Sequence, residues 1–406
     1  MAGDALPRLK TKIPGPRSRA LARRLRRYES RNVTFVSGNW PIFWQHAAGA
    51  NVWDVDGNRY IDLTAAFGVS SVGHSNPRVV AALNKQAASL IHAMGDVHPN
   101  ELKLQLAREL CSLTFGRWNR GPARVVFGNS GAEAVEIAFK TAAIHTKRPG
   151  VIAFTGAYHG LTYGALDATS RDEFRKPFRH QLGHFTAHVP YGKLPKVETI
   201  RHCGAVIVEP IQGRGGIIVP PDEFLPALRK FCDQHELVLI FDEIYTGFCR
   251  TGRWFACEHW GVVPDLVCLG KGMTGGFPLS ACVGRAKVMD SWPESQGEAI
   301  HTSTFLGNPL GCAAALAAIA ELKAKKLAER SRRLGARLQS QLHLRGKGLM
   351  LGLPVKNAVE VCEQLLRAGI LALPEGERAE VLGITPPLTI SGRQLDFCVD
   401  ELAKRL

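Results

Sequence analysis

Gly270-Lys271-Gly272 stands directly after the apolar run Asp265–Leu269. A lysine held out of water at the end of a buried strand has a lowered pKa, and its amine becomes a nucleophile toward carbonyls. A surface lysine in a turn would carry the same letters. Asp242-Glu243 follows the apolar run Leu237–Phe241. A half-buried carboxylate there demands a cationic or proton-donating partner, although acids also favour plain helix N-termini. Gly128-Asn129-Ser130-Gly131-Ala132 follows Arg124–Phe127 and leads into helical sequence. Small residues at a helix start leave backbone N–H groups free for a phosphate, or they mark an ordinary turn with a serine cap. Tyr158-His159-Gly160 follows Val151–Phe154, and a ring at that place can stack on a flat heterocycle.

The elements that position these groups are apolar runs of four to six residues alternating with amphipathic stretches. The runs are Arg124–Phe127, Val151–Phe154, Ala205–Val208, Leu237–Phe241, Asp265–Leu269 and Leu279–Val283. Such alternation predicts βα units and a mostly parallel sheet covered on both faces. Open α/β sheets place ligands at strand ends, which is where the four motifs fall. Before this centre, residues 50–63 predict a hairpin turning at Asp56-Gly57, and helices follow near Pro77–Ala93 and Glu101–Leu113. After it, Pro309 to about Leu344 predicts a long helix with a break. Gly348–Leu353, Ile370–Pro374 and Thr385–Ile390 predict strands. Ala358–Ala368 and Gly392–Arg405 predict helices. The expected architecture is α/β: a large domain at 66–308, and a smaller α+β domain built from an N-terminal arm and hairpin (1–65) and a C-terminal part (309–406).

The composition suits a globular protein. Of 406 residues 45% are hydrophobic and 21% charged, which excludes a disordered chain, a collagen or a coiled-coil rod. The net charge is +15. Residues 1–32 hold ten Lys/Arg against Asp4 and Glu29, giving +8. That arm reads as a solvated segment leading into an amphipathic helix, with a nucleic-acid arm or a transit peptide as alternatives. No apolar stretch follows Met1, so a secretory signal is not expected. The apolar run Pro309–Ala320 is too short for a bilayer, which takes about 20 residues. The ten cysteines include no CxxC pair and several lie in apolar runs. They predict reduced, buried thiols in a cytoplasmic protein and no metal site.

An amine, an acid, a phosphate cradle and a stacking ring together are what pyridoxal 5'-phosphate requires. At this point the sequence resembles the class III aminotransferases of pyridoxal-phosphate fold type I. The resemblance rests on residues 51–63, Asn129 to Ala134, Tyr158-His159-Gly160, Glu209 to Gln212, Asp242 to Gly247, Gly270-Lys271-Gly272 and His301 to Leu310. It covers nearly the whole chain in order. It implies that Lys271 is the Schiff-base lysine and that Asp242 pairs with the pyridine nitrogen. It further implies that Ile244 and Tyr158 flank the ring, that Ser130, Gly131 and Ala132 hold the phosphate, and that Glu209 lies near the 3-oxygen. Thr304 resembles the threonine that reaches the phosphate of a neighbouring subunit, which implies a homodimer.

Departures from the family pattern bear on the substrate. Tyr245 stands where the family often has Gln, on the cofactor's 3-oxygen. Gly383 stands where many glutamate-using members have an Arg for the α-carboxylate, and Arg214 where those members have a Glu that pairs with it. The expectation is that Arg214 is unpaired until a substrate carboxylate meets it, or that it points to solvent. A second Arg used by some γ-aminobutyrate enzymes, on the helix after the phosphate loop, would fall near Ala143 and is absent. Phe67, Trp40, Phe43 and Trp44 fall in segments that line the substrate mouth in related enzymes. The implied activity is ping-pong transamination between a small amine donor and a carbonyl acceptor. A glutamate-semialdehyde-type aminomutase, a decarboxylating relative and a nucleic-acid binder on a retained enzyme scaffold are the alternatives; no nucleic-acid or membrane partner is expected.

Overall fold

Asp54 makes the hairpin. Its Oδ1 accepts from the backbone N–H of Asp56 and Asn58 at 3.0 and 2.8 Å, and its Oδ2 accepts from the Tyr60 hydroxyl at 2.7 Å. Gly57 takes φ +81° at the tip, a conformation open to glycine. The strands are β1 (Trp44–Ala48), β2 (Asn51–Asp54) and β3 (Arg59–Asp62), all antiparallel. The computed structural model describes residues 3–405. Much of the basic arm is ordered against this hairpin. Asn58 Oδ1 accepts from Lys10 and Thr11 N–H, and Asp56 accepts from Arg17 and Ser18 N–H at the start of helix Pro16–Leu25. Arg23, Arg24, Arg26 and Arg27 remain exposed.

The central sheet holds β4 (Ala123–Gly128), β5 (Gly150–Phe154), β6 (Thr186–Val189), β7 (Cys203–Val208), β8 (Val238–Asp242), β9 (Leu266–Leu269) and β10 (Ser280–Arg285). Their spatial order is β4-β10-β9-β8-β7-β5-β6. Alternation along each strand serves two cores. Ala153, Ile207, Ile240 and Cys268 face helix Gly131–Thr146, while Ile152, Val208, Phe241 and Leu269 enter the larger cluster on the other face. Burial on both faces is why these strands read as continuous apolar runs. Only β10 runs against its neighbours. The segment from β9 to β10 is too short for the helical crossover that a parallel pair needs. β6 goes unannounced in the sequence because an edge strand with three half-buried residues needs no apolar run.

The expected long helix is two, Pro309–Ala324 and Leu327–Gln341, broken at Lys326 with φ +48°. β11 (Arg345–Lys347), β12 (Met350–Pro354), β13 (Ile370–Leu371), β14 (Leu373–Glu375) and β15 (Val381–Ile384) follow, with helices Ala358–Arg367 and Gly392–Ala403. The strand expected at Thr385–Ile390 lies earlier, at β15. Pro386 and Pro387 have no N–H to give a ladder. The single strand expected at Ile370–Pro374 divides at Ala372. β13 pairs in parallel with β3, whereas β14 joins β15 in a separate sheet with β11 and β12.

Candidate active site

A cavity of about 480 Å³ opens at the ends of β4, β5, β8 and β9. Ser130, Gly131, Ala132, Tyr158, Glu209, Arg214, Asp242, Ile244, Tyr245 and Lys271 all border it. Lys271 opens a single tight turn after β9 with φ +38°. That region is costly for a side chain bearing Cβ. Its Nζ lies 4.5 Å from the centre of the Tyr245 ring. Burial pushes the amine below its ordinary pKa, while the carboxylates of Asp242, Glu209 and Glu375 push it back up.

Asp242 ends β8 and is nearly inaccessible. Its Oδ1 accepts from Ile244 N–H at 3.1 Å, and its Oδ2 lies 2.8 Å from His159 Nδ1. His159 is fixed in turn by its backbone N–H, which donates to Thr169 Oγ1. The His159 Nε2 is buried without a partner among the described residues. Sequence reasoning passed over this histidine. Its letters were in view beside Tyr158, but its partner lies 83 residues away.

Ser130 caps helix Gly131–Thr146 by accepting from Glu133 N–H. The N–H groups of Gly131 and Ala132, which no helix carbonyl can reach, lie at the cavity wall. The wall is tight here. Gly160 has φ +125°, and a Cβ on it would stand 2.6 Å from that of Ala132. The Tyr158 N–H donates to Glu209 Oε1 at 3.0 Å and Gly213 N–H to Oε2 at 2.9 Å. Burial, opposed by His159, raises the Glu209 carboxyl to about 7. The Tyr245 hydroxyl donates to Thr385 Oγ1 at 3.1 Å. Its ring passes so near Gly68 and Gly213 that a Cβ on either would lie within 2.5 Å.

Arg214 corrects an expectation. Its Nε lies 3.6 Å from Glu375 Oε2, so this chain supplies the anion itself. The cavity does not gather every expected residue. Thr304 is exposed in a turn and stands outside the lining. Phe67, 55% exposed, lies in a left-handed turn at Ala65–Gly68. Trp44, 43% exposed, packs edge-on to His74.

A lysine amine, a histidine-braced carboxylate, a glycine-lined helix start and a tyrosine ring form a donor set that fits pyridoxal phosphate. Residues 34–406 match the model of the class-III aminotransferases. The chain belongs to the class III aminotransferases. The acetylornithine aminotransferase of Methanopyrus kandleri is 41% identical to it, over 90% of this chain and 95% of the relative. The 4-aminobutyrate aminotransferase of Mycobacterium tuberculosis is 37% identical over 97% and 96%. The ornithine aminotransferase of Toxoplasma gondii, solved with partial occupancy of the cofactor, superposes with a TM-score of 0.84 at 32% identity over 98% and 95%. This aminotransferase has fold type I, depends on pyridoxal 5'-phosphate and catalyses transamination; the aminomutase alternative is not favoured. Among its described residues no acid, cysteine and histidine cluster could hold a metal ion, and no helix is long and apolar enough to cross a membrane.

Proposed function

We propose that this aminotransferase takes its amino group from a donor bearing a carboxylate, with Lys271 as the covalent anchor and proton carrier. When bound, the cofactor supplies an electron sink and a temporary carrier of the amino group. Lys271 moves the proton at the substrate carbon that bears nitrogen, and burial favours the neutral amine this needs. Asp242, braced by His159, would pair with the pyridine nitrogen. Tyr158 and Ile244 would flank the ring, Ser130, Gly131 and Ala132 would hold the phosphate, and Glu209 would lie near the 3-oxygen. Tyr245 spends its hydroxyl on Thr385 and bears on Lys271 through its ring. The carrying observation is that Lys271, Asp242, the loop 129–132 and Arg214 border one cavity.

Arg214 is the residue we assign to the substrate carboxylate. The relatives named for acetylornithine and 4-aminobutyrate support an amino acid donor. Gly383 stands where many glutamate-using members have an arginine, and the arginine of some γ-aminobutyrate enzymes near Ala143 is absent, so the carboxylate needs another partner. A homodimer is part of the same reading, with Thr304 serving the neighbouring phosphate. Ile91, Met94, Val97, Ile300 and Phe305 are each more than half exposed on two segments that touch through His92–Phe305 and Thr302–Asp96. Exposed apolar side chains grouped in this way suit a second copy. Residues 66–308 would form the cofactor domain, with 1–65 and 309–406 in the smaller one. Ten free cysteines, nine of them buried, support a reducing, cytoplasmic setting.

The test is an absorbance titration of the cofactor-loaded protein with L-glutamate, L-alanine, 4-aminobutyrate, ornithine and putrescine, each without a keto acid. Conversion to the amino form of the cofactor by a carboxylate donor, reversed by a keto acid and absent in Lys271→Ala, is the expected result. Conversion by putrescine alone would overturn the carboxylate reading, and conversion that survives Lys271→Ala would overturn the assignment of the lysine.

A further inference from the structure

Glu375 is the acid that no reading of the motifs assigned. It ends β14 opposite β15, where Leu373 pairs with Gly383. A Cβ at 383 would stand 3.0 Å from Glu375 Cγ, so the missing side chain at Gly383 makes the room in which Glu375 lies. Glu375 is 3% exposed. The backbone ties it to its partner: Gly376 N–H donates to Arg214 C=O at 3.0 Å, and Arg171 donates to Gly376 C=O at 2.7 Å.

The ion pair itself is unfinished. At 3.6 Å Arg214 Nε is too far to hydrogen-bond Glu375 Oε2. Both atoms are buried without a hydrogen-bond partner among the described residues. The guanidinium instead leans over the Tyr158 ring, 5.7 Å from its centre, on the cavity wall. A dry carboxylate with so little support is held at a cost, and the arginine has capacity left for a better anion. Resting on the reading of Arg214 above, we propose that Glu375 is an internal counter-ion which a substrate carboxylate displaces from Arg214, and that Glu375 takes up one proton as it is displaced. Binding of an anionic substrate is then proton-linked, and binding of an amine without a carboxylate is not. The balance closes: one carboxylate replaces another at the guanidinium, the proton comes from solvent, and the buried charge is unchanged.

The charged and titratable groups that face Glu375 are Arg214, Lys271, Arg171 and Glu209, with Tyr245 and Cys362 beside it. Burial raises its carboxyl to about 7 despite Arg214, Lys271 and Arg171. Removing Arg214 from it raises it further. Glu375 therefore accepts a proton near neutrality, whereas a solvated glutamate would have to be taken to acid pH.

The experiment is calorimetry on the cofactor-loaded enzyme at pH 7.5, with pentanoate as an unreactive carboxylate and pentanamide as its neutral counterpart, in two buffers of different ionisation heat. The expected result is uptake of up to about one proton per pentanoate and none per pentanamide, with pentanoate affinity falling by up to tenfold per pH unit above 7. Glu375→Gln abolishes the uptake, tightens pentanoate several-fold at pH 8 and flattens its pH profile. A merely structural role would move both probes alike. Pentanoate binding without proton uptake overturns the inference even if the variant does not fold, and uptake that persists in Glu375→Gln overturns it as well, because Lys271 is then the acceptor. Arg214→Ala separates the two layers. If that variant loses pentanoate binding while proton uptake is absent in the unmodified enzyme, only the Glu375 inference fails. If it binds pentanoate unchanged, or the unmodified enzyme does not bind pentanoate at all, both readings fail.

Discussion

The floor and the rim of one cavity are built to opposite standards. On the floor Asp242 and Glu209 each hold two partners at hydrogen-bonding distance. Glu243 behind them accepts from Ala256 and Cys257 N–H and from the Thr246 hydroxyl. At the rim Arg214 faces Glu375, which is buried behind it and outside the lining, without a hydrogen bond. The floor carboxylates are over-determined by their hydrogen bonds. The Arg214–Glu375 pair is left with spare hydrogen-bonding capacity. On the function proposed above, the floor carries the transamination chemistry and the rim the choice of donor.

The largest effects should come from the floor. Lys271→Ala should lower single-turnover rates by about 10³-fold or more, since a positioned proton carrier and nucleophile is lost. A variant within tenfold of the parent would break the comparison at its root. Asp242→Asn should lower kcat by roughly 10²-fold, and His159→Gln less, because it acts through Asp242. His159→Gln should also shift the pH titration of the bound cofactor's absorbance, which a purely structural histidine would leave in place. The rim should answer in KM. Arg214→Ala should raise KM for a carboxylate donor by about 10- to 100-fold, the worth of a charged hydrogen bond, with a much smaller change in kcat. An equal fall in kcat would place Arg214 with the floor.

The buried acids sharpen the comparison through stability. Burial raises Glu209, Glu243 and Glu375 to about 7. An unfolded glutamate releases its proton near 4.5, so between these values the folded cofactor-free protein binds more protons than the unfolded chain. Its stability is therefore greatest below about pH 4.5 in this respect and falls as pH rises through 7. Melting temperatures between pH 5 and 7.5 should show the fall, and Glu375→Gln should reduce it. A flat profile would show that the rim acid is as well solvated as a surface one. The smallest effect is Tyr245→Phe, which gives up one hydrogen bond to Thr385 and should cost about 1 kcal/mol in unfolding free energy.

Lys271, Asp242 and the loop 129–132 were legible because each signal is local: an apolar run stops, and a chemically active or small residue follows. The sheet itself was legible for the same reason. The reversal of β10 was written in the short link 270–279, but apolar content carries no direction. His159 and Glu375 were not legible as site residues. Both act through contacts across the fold, His159 with Asp242 and Glu375 with Arg214. Gly383 and Arg214 show in the sequence that an arginine and a glutamate have been exchanged away. That a carboxylate stands on the neighbouring strand is not visible there, because β14–β15 pairing and the hole left by Gly383 exist only in three dimensions. Arg250 is a similar case. It is fully buried and donates to Leu349 and Pro386 carbonyls and to Ser71, linking three distant segments that give no sequence sign of it.

The parallel pairing of β13 with β3 also sets an order of events during synthesis. The free edge of the hairpin at Ile61 waits for Ile370, about 300 residues later, which at ribosomal speeds of roughly 5–20 residues per second is a delay of about 15–60 s. Throughout that interval β3 presents unpaired backbone groups to any other nascent chain. A chain stopped before Ile370 would keep the cofactor loop and Lys271 yet never close that edge, so premature termination late in the message should yield aggregates and not a smaller working enzyme.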